Sequence, residues 1–296
     1  MSKPLTIRQF FTQFPDDETC LTHLFEVRFG QGFACPSCER PSRWYRIKAE
    51  RAYSCQWCGH HLHPTVGTPF AKTRTPLQLW FYAIFLFTTT RNGVAAKRLE
   101  RELGVTYKTA WRMADEIRKH MAAVDGDAQV GGLGKIVQID ETLIGGAVRR
   151  KPGGNRSQFQ NKTTLMGMME RDGMVLTTIV ADNRKTSLLP KIAEHVAPGS
   201  MIHTDELRSY KGVTEMGFGH DTCNHTRGRY ISATGAHVQG IESFWSQLKR
   251  AINGTHIHVS GKHLWKYAKE AEYRFNRRHC SETMVQELLT TFGPLK

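Results

Sequence analysis

Two short cysteine pairs, Cys35-Pro-Ser-Cys38 and Cys55-Gln-Trp-Cys58, constrain this chain more than any other feature. Sixteen residues separate them, within the range at which two turns bring four thiolates around one tetrahedral ion. Cys35, Cys38, Cys55 and Cys58 therefore predict a structural Zn2+ that folds a small ribbon and leaves no position open for catalysis. The competing reading is four unliganded thiols packed as small hydrophobes. His60, His61 and His63 follow closely enough to compete as ligands. The remaining cysteines, Cys20, Cys223 and Cys280, stand alone, which suits a reducing compartment better than a disulfide framework. Arg40, Arg43, Arg46, Lys48 and Arg51 give the ribbon a basic surface suited to nucleic acid.

Charge narrows the partner. The 296 residues carry a formal net charge of +14, which favours a phosphate backbone through counterion release. A membrane surface fits less well, because no long basic amphipathic helix dominates the sequence. The longest apolar run, Leu79–Phe87, is far short of the roughly 20 residues that span a bilayer and predicts a buried helix. The first ten residues lack an apolar signal core, so the expected location is the cytoplasm.

Five regions follow from punctuation and periodicity. Residues 1–31 predict a helical lead-in, with Asp16-Asp-Glu18 starting a helix after Pro15. Residues 32–68 form the ribbon. Residues 76–125 show helical periodicity and predict a helix–turn–helix region. The glycine-rich stretch 126–134 is a linker, residues 133–262 alternate strands with helices, and 263–296 form a helical tail. In the helical region Ala95, Leu99 and Leu103 mark one buried face, Gly104-Val105 breaks it, and Thr106 is a fitting N-cap. The next helix buries Ala110, Met113, Ala114, Ile117 and Met121 and exposes Tyr107, Lys108, Thr109 and Arg112. That layout sends the opening turn of a recognition helix into a major groove, although an ordinary helical hairpin has the same pattern.

Three acids stand out in the alternating region. Asp140 closes the apolar run from Lys135, Asp205 closes the run from Ser200, and Glu242 lies on an amphipathic stretch. Ile241, Phe244, Trp245, Leu248 and Ile252 fall on one arc of that helix. At about 100° per residue Glu242 and Lys249 lie roughly 20° apart beside it, with Lys249 about 10 Å further along. Three carboxylates on a basic chain suggest divalent-metal chemistry on a polyanion. Between the two aspartates, Thr163–Glu170 and Met174–Ala181 predict a hairpin turning at Asp172-Gly173, Lys185–Val196 a helix, and Ser200–Asp205 a strand, hence a mixed sheet with helices on its faces. Arg149–Arg156 reads as a cationic loop, and Tyr273–Arg278 as a basic, aromatic helical segment.

These residues resemble the DDE transposases of bacterial insertion sequences, in the group with an N-terminal zinc ribbon and a ribonuclease-H-like catalytic domain. The matching segments are Gly67–Phe70 with Trp80, Thr109–Arg112, Ile139–Thr142 with Gly145-Gly146, and Thr204–Glu206 with Tyr210. His237, Glu242, Phe244-Trp245 and Leu248–Arg250 complete a likeness that spans nearly the whole chain. Gln239 departs from it, standing where the family more often has Asn. The resemblance implies an α/β, ribonuclease-H-like mixed-sheet domain preceded by a zinc ribbon and a helix–turn–helix module. It implies binding of double-stranded DNA at the element's terminal inverted repeats, and cleavage and strand transfer into target DNA. Asp140, Asp205 and Glu242 would be the catalytic acids, holding Mg2+ or Mn2+. Lys249 and Arg250 would meet DNA phosphate, and His237 would position DNA or a metal-bound water. Lys108, Thr109 and Arg112 would contact the end sequence, with at least a homodimer in the paired-end complex. A non-catalytic DNA-binding regulator and a nuclease without strand transfer remain as alternatives.

Overall fold

The computed structural model describes residues 5–145, 162–223, 232 and 235–293. Two units emerge: residues 1–124 with 280–296, and residues 125–279. The cationic loop Arg149–Arg156 lies outside the described residues.

The first unit opens with α1 (Ile7–Gln13), started by a capping box between Thr6 and Gln9. Asp16 then accepts from Thr19 N at 2.8 Å and caps α2 (Asp17–Arg28), whose first turn carries Asp17 and Glu18 against the positive end of the helix dipole. Strands β1 (Trp44–Ile47), β2 (Ala52–Cys55) and β3 (His61–Leu62) form an antiparallel sheet. The apolar run predicted as a buried helix is α3 (Leu77–Thr89), with Leu77, Trp80, Phe81, Ile84 and Phe87 fully buried. Helix α4 (Ala96–Leu103) ends at Gly104, whose φ of +64° is the left-handed conformation that glycine adopts without strain. Thr106 then accepts from Thr109 N at 3.3 Å and starts α5 (Tyr107–Asp125), which buries all five expected apolar residues.

The tail expected over 263–296 is shared between the units. Its final helix, Met284–Thr290, belongs to the first, where His23 and His120 meet the carbonyls of Leu289 and Leu288 at 3.1 and 2.8 Å. Residues 263–279 belong to the second unit.

That unit contains β4 (Val130–Gly131), β5 (Ile136–Gly145), β6 (Lys162–Glu170), β7 (Val175–Val180), α6 (Lys185–His195), β8 (Val196–Ala197), β9 (Met201–Thr204), β10 (Gly219–Thr222), α7 (Gln239–Arg250) and α8 (Gly261–Asn276). The main sheet has the order β10-β9-β5-β6-β7. It is mixed: β9 runs parallel to both β10 and β5, and β5, β6 and β7 are antiparallel. Short strands β4 and β8 pair in parallel beside it. The predicted hairpin turns at Asp172, which holds φ +61°. Strand alternation feeds two cores. Val137, Ile139, Met166 and Met168 pack with Leu188 and Ile192 of α6, while Ile144, Leu165 and Met169 pack with Ile241, Phe244, Trp245 and Leu248 of α7.

One expectation changes. Asp140 does not close its strand, because β5 continues to Gly145 against β6. The strand that stops there is its other neighbour: β9 pairs with β5 over Ile136–Gln138 alone.

Candidate active site

The ending of β9 sets the site's geometry. Gln138 is in register with His203. Carried two residues on, that register sets Asp205, one residue past β9, beside Asp140. Hydrogen-bonded strands lie about 4.8 Å apart, and residues two apart share a face. Even-numbered residues of β5 face α7, so Asp140 points to the same side as Gln138 and Ile144. Asp205 Oδ1 accepts from Leu207 N at 3.0 Å, which fixes the turn leaving the sheet.

Glu242 comes from the first turn of α7. Two glycines let that helix lie close on the sheet. A Cβ at Gly167, the β6 partner of Asp140, would stand 2.6 Å from Trp245 Cζ2 and 2.7 Å from Ile241 Cδ1. A Cβ at Gly240 would stand 2.6 Å from Gln138 Oε1. The close approach brings the Trp245 indole to Asp140, where Nε1 donates to Oδ2 at 3.1 Å.

The acids sense one another. Burial and then the charges of Asp205 and Glu242 push the Asp140 carboxyl up to about 6, against the Trp245 donation. The three do not close to within 4.8 Å of one another as the four cysteine sulfurs do. A buried, partly desolvated carboxyl in a like-charged group has the chemistry of a divalent-cation ligand, since the cation removes the repulsion that raises its pKa.

Three neighbours make contacts that the sequence reading did not assign to them. Gln138, 2 % exposed, accepts from Ile241 N at 3.2 Å and joins the α7 backbone to β5. Its Nε2 lies 3.3 Å from His237 Nδ1, so His237 contacts Gln138. Burial and then Arg171 hold His237 below the usual histidine range. Trp245 was read as part of the apolar arc and of the family likeness, without its bond to Asp140. On the opposite face of β5, Tyr210 donates to Glu141, and burial carries that carboxyl up to about 8 despite the donation. Strand alternation marks Gln138 as a face-mate of Asp140. The other two contacts have no sequence signal at that range.

Lys249 lines a cleft of about 310 Å3 with Leu143, Gly145, Asn253 and His258 at the far end of β5. Arg250 points back along its own helix, Nε donating to Ser246 O at 3.2 Å. The helix continues as a π-helical segment, Ala251–His256, a geometry that recurs at functional sites. Gln239, the departure from the family pattern, is an exposed residue at the start of α7.

In the other unit, Cys35, Cys38, Cys55 and Cys58 converge. Sγ–Sγ separations of 3.6 Å for Cys35–Cys58 and 3.8 Å for Cys38–Cys55 match the edge of about 3.8 Å expected for a tetrahedron of about 2.3 Å Zn–S bonds. The two knuckles repeat one another: Glu39 N donates to Cys35 O at 2.8 Å, and Gly59 N to Cys55 O at 3.1 Å. Ser42 donates to Cys55 Sγ at 3.2 Å, and Ser37 N to Cys35 Sγ at 3.4 Å. The donor set fits structural Zn2+. Along α5, Tyr107 and Lys108 are exposed, and Thr109 is half-buried. Arg112 is not freely exposed: its guanidinium donates to Ala71 O at 2.7 Å and lies 5.8 Å from the Trp80 ring centroid.

Two family models match this chain, one over the region of each centre. Residues 132–276 match the ISXO2-like transposase domain, and residues 15–61 match the transposase zinc-ribbon domain. This chain belongs to the ISXO2-like transposases. It is 34 % identical over 105 residues to an uncharacterized transposase-like protein of Haemophilus influenzae, covering 34 % of this chain and 80 % of that one. An uncharacterized protein in transposable element ISH50 of Halobacterium salinarum is 25 % identical over 279 residues, covering 88 % of this chain and 91 % of the relative. Among the described residues of the transposase, no helix is long and apolar enough to cross a membrane.

Proposed function

We propose that this transposase binds the terminal inverted repeats of its insertion sequence, and cleaves and transfers DNA strands at Asp140, Asp205 and Glu242. The observation that carries this reading is the placement of Asp140 on β5 and of Glu242 on the first turn of α7, the helix whose Trp245 donates to Asp140, with Asp205 one residue past the neighbouring strand β9. The strand order and flanking helices support a ribonuclease-H-like domain, and α4 with α5 support a helix–turn–helix.

Asp140 and Asp205 present carboxylates from adjacent strands, and Glu242 adds a third from the helix above. Mg2+ or Mn2+ held by them would supply Lewis acidity for in-line attack by water or a 3′-hydroxyl and would neutralise the leaving oxygen. Trp245 orients Asp140. Lys249 lies near enough along α7 to pair with a flanking phosphate, with Arg250 beside it as an accessory charge; His237, through Gln138, positions α7. Tyr107, Lys108 and Thr109 at the start of α5 face the DNA, whereas Arg112 supports the helix that carries them. The protein acts in the cytoplasm at the nucleoid, as a homodimer or larger assembly when two ends are paired.

Incubation with a labelled element end, a target plasmid and Mg2+ or Mn2+ tests the reading. Joined products lost in Asp140→Ala, Asp205→Ala and Glu242→Ala, with end binding retained, are the expected result. Nicks without joining would identify a nuclease, and bound but uncut ends a regulator.

A further inference from the structure

Beyond the four cysteines, the ribbon carries a second group of metal-ligating side chains. His61 and His63 flank Leu62, which is 4 % exposed; strand alternation buries the leucine and turns both imidazoles to the solvent side. The third member, Glu50, lies in the turn between β1 and β2. That turn is anchored: the Arg46 guanidinium donates to the carbonyls of Ile47, Glu50 and Ala52, and Glu50 N donates to Ile47 O at 3.2 Å. Arg46 also pairs with Glu18 at 2.7 Å, so its charge is already engaged. Donor atoms of Glu50, His61 and His63 all lie within 4.8 Å of one another, with Glu50 Oε2 3.5 Å from His61 Nδ1.

We propose that Glu50, His61 and His63 form a second metal site, taking a Zn2+-class divalent transition ion. Two imidazoles and one carboxylate suit such ions, whereas Mg2+ prefers oxygen ligands throughout. His61 is held in the hydrogen-bonded strand β3, His63 follows one residue past its end, and the glutamate sits on a braced turn, so little backbone ordering is left for binding to impose. His61 and Glu50 side chains are 46 % and 48 % exposed, which leaves the ion's remaining position open to water or an external anion. None of the three residues belongs to the four-cysteine cluster or to the acidic group.

The test is zinc content of the full-length protein after equilibration with low-micromolar Zn2+ in excess Mg2+, the Mg2+ occupying the acids. Wild type is expected to hold two equivalents per chain and His61→Ala one. Co2+ substitution checks the loss: the intense thiolate-to-metal absorption persists in the variant, and the weaker imidazole-site bands disappear. One equivalent in wild type, or two in both proteins, overturns the proposal. Should His61→Ala lose the cysteine-bound metal as well, Glu50→Gln and His63→Gln decide by the same count: one equivalent upholds the site and two overturn it.

Discussion

Trp245 Nε1 donates to Asp140 Oδ2 across 3.1 Å, so a residue of the helix's apolar arc also steadies the acid at the centre of the sheet. The contact exists because Gly167, opposite Asp140 on β6, leaves room for the indole. It favours the ionised carboxyl against burial and two neighbouring charges.

Trp245→Phe keeps the ring and removes the donor. A hydrogen bond to a charged group is worth about 1.5–3 kcal/mol, so Mg2+ affinity near neutral pH should fall on the order of tenfold or more. The pH–rate profile for end cleavage should move to higher pH, with activity recovered there. An unmoved profile would show that the indole only packs.

Asp140→Asn should stabilise the protein when no Mg2+ is added. The folded carboxyl titrates at about 6 against an ordinary 3.8, so its stabilising contribution is complete below pH 3.8 and is lost as pH rises through 6. The neutral amide avoids that loss. Urea unfolding above pH 6 should show a gain of at most about 3 kcal/mol, vanishing towards pH 4. Added Mg2+ should raise the wild-type midpoint and leave the variant's nearly unchanged.

Gly167→Ala tests the close approach of α7. Its Cβ would lie 2.6 Å from Trp245 and 2.7 Å from Ile241, both buried, so neither ring nor methyl yields freely. Overpacking of this kind costs about 1–3 kcal/mol. Denaturant unfolding should report that loss. The displaced helix carries Glu242, so the Mg2+ concentration for half-maximal cleavage should rise as well.

How much of this was legible in the sequence depended on the range of each interaction. The cysteine knuckles were, because a two-residue spacing itself encodes the turn. The arc of α7 and the hairpin at Asp172 were also local patterns. Asp140 was read as a strand end, and its place in mid-strand was not legible: the apolar run stops at Asp140, while the pairing with β6 that carries β5 onward comes from residues 17 to 25 positions away. Arg112 shows the opposite failure. Helical geometry put it on the exposed side, and no periodicity reveals that Ala71 has a carbonyl waiting for it. Gln138, Trp245 and Tyr210 likewise act on partners 69 to 105 residues away.

The Tyr210–Glu141 pair predicts an asymmetry between two conservative changes. Burial pushes Glu141 to about 8 and Tyr210 well above its usual value, so at neutral pH this is a protonated carboxyl beside a neutral phenol. Glu141→Gln preserves a neutral acceptor and should stabilise the protein at pH 7, where the unfolded wild-type carboxyl is ionised and the folded one is not. Tyr210→Phe strands the buried carboxyl and should cost about 1–3 kcal/mol. The stability that Glu141 contributes is complete below its ordinary 4.5 and is lost as pH rises through 8, so the wild type should weaken relative to Glu141→Gln across that window. Equal losses in both variants at pH 7 would contradict a neutral Glu141.

Cys35→Ser separates the ribbon's metal from the chemistry of the acids. Cys35 is 1 % exposed, and its sulfur accepts from Ser37 N, so the substitution removes a ligand without introducing bulk. The other three thiols cannot close the tetrahedron. Structural zinc in such ribbons contributes on the order of 10 kcal/mol to folding, far more than so small a segment recovers from its own apolar contacts. Protease cleavage should therefore appear within residues 32–68, and end binding should fall at least tenfold. Metal-dependent nicking of non-specific DNA should survive, because Asp140, Asp205 and Glu242 all lie in the other unit. Undiminished zinc at the cysteines of Cys35→Ser would show that Cys35 is not a ligand.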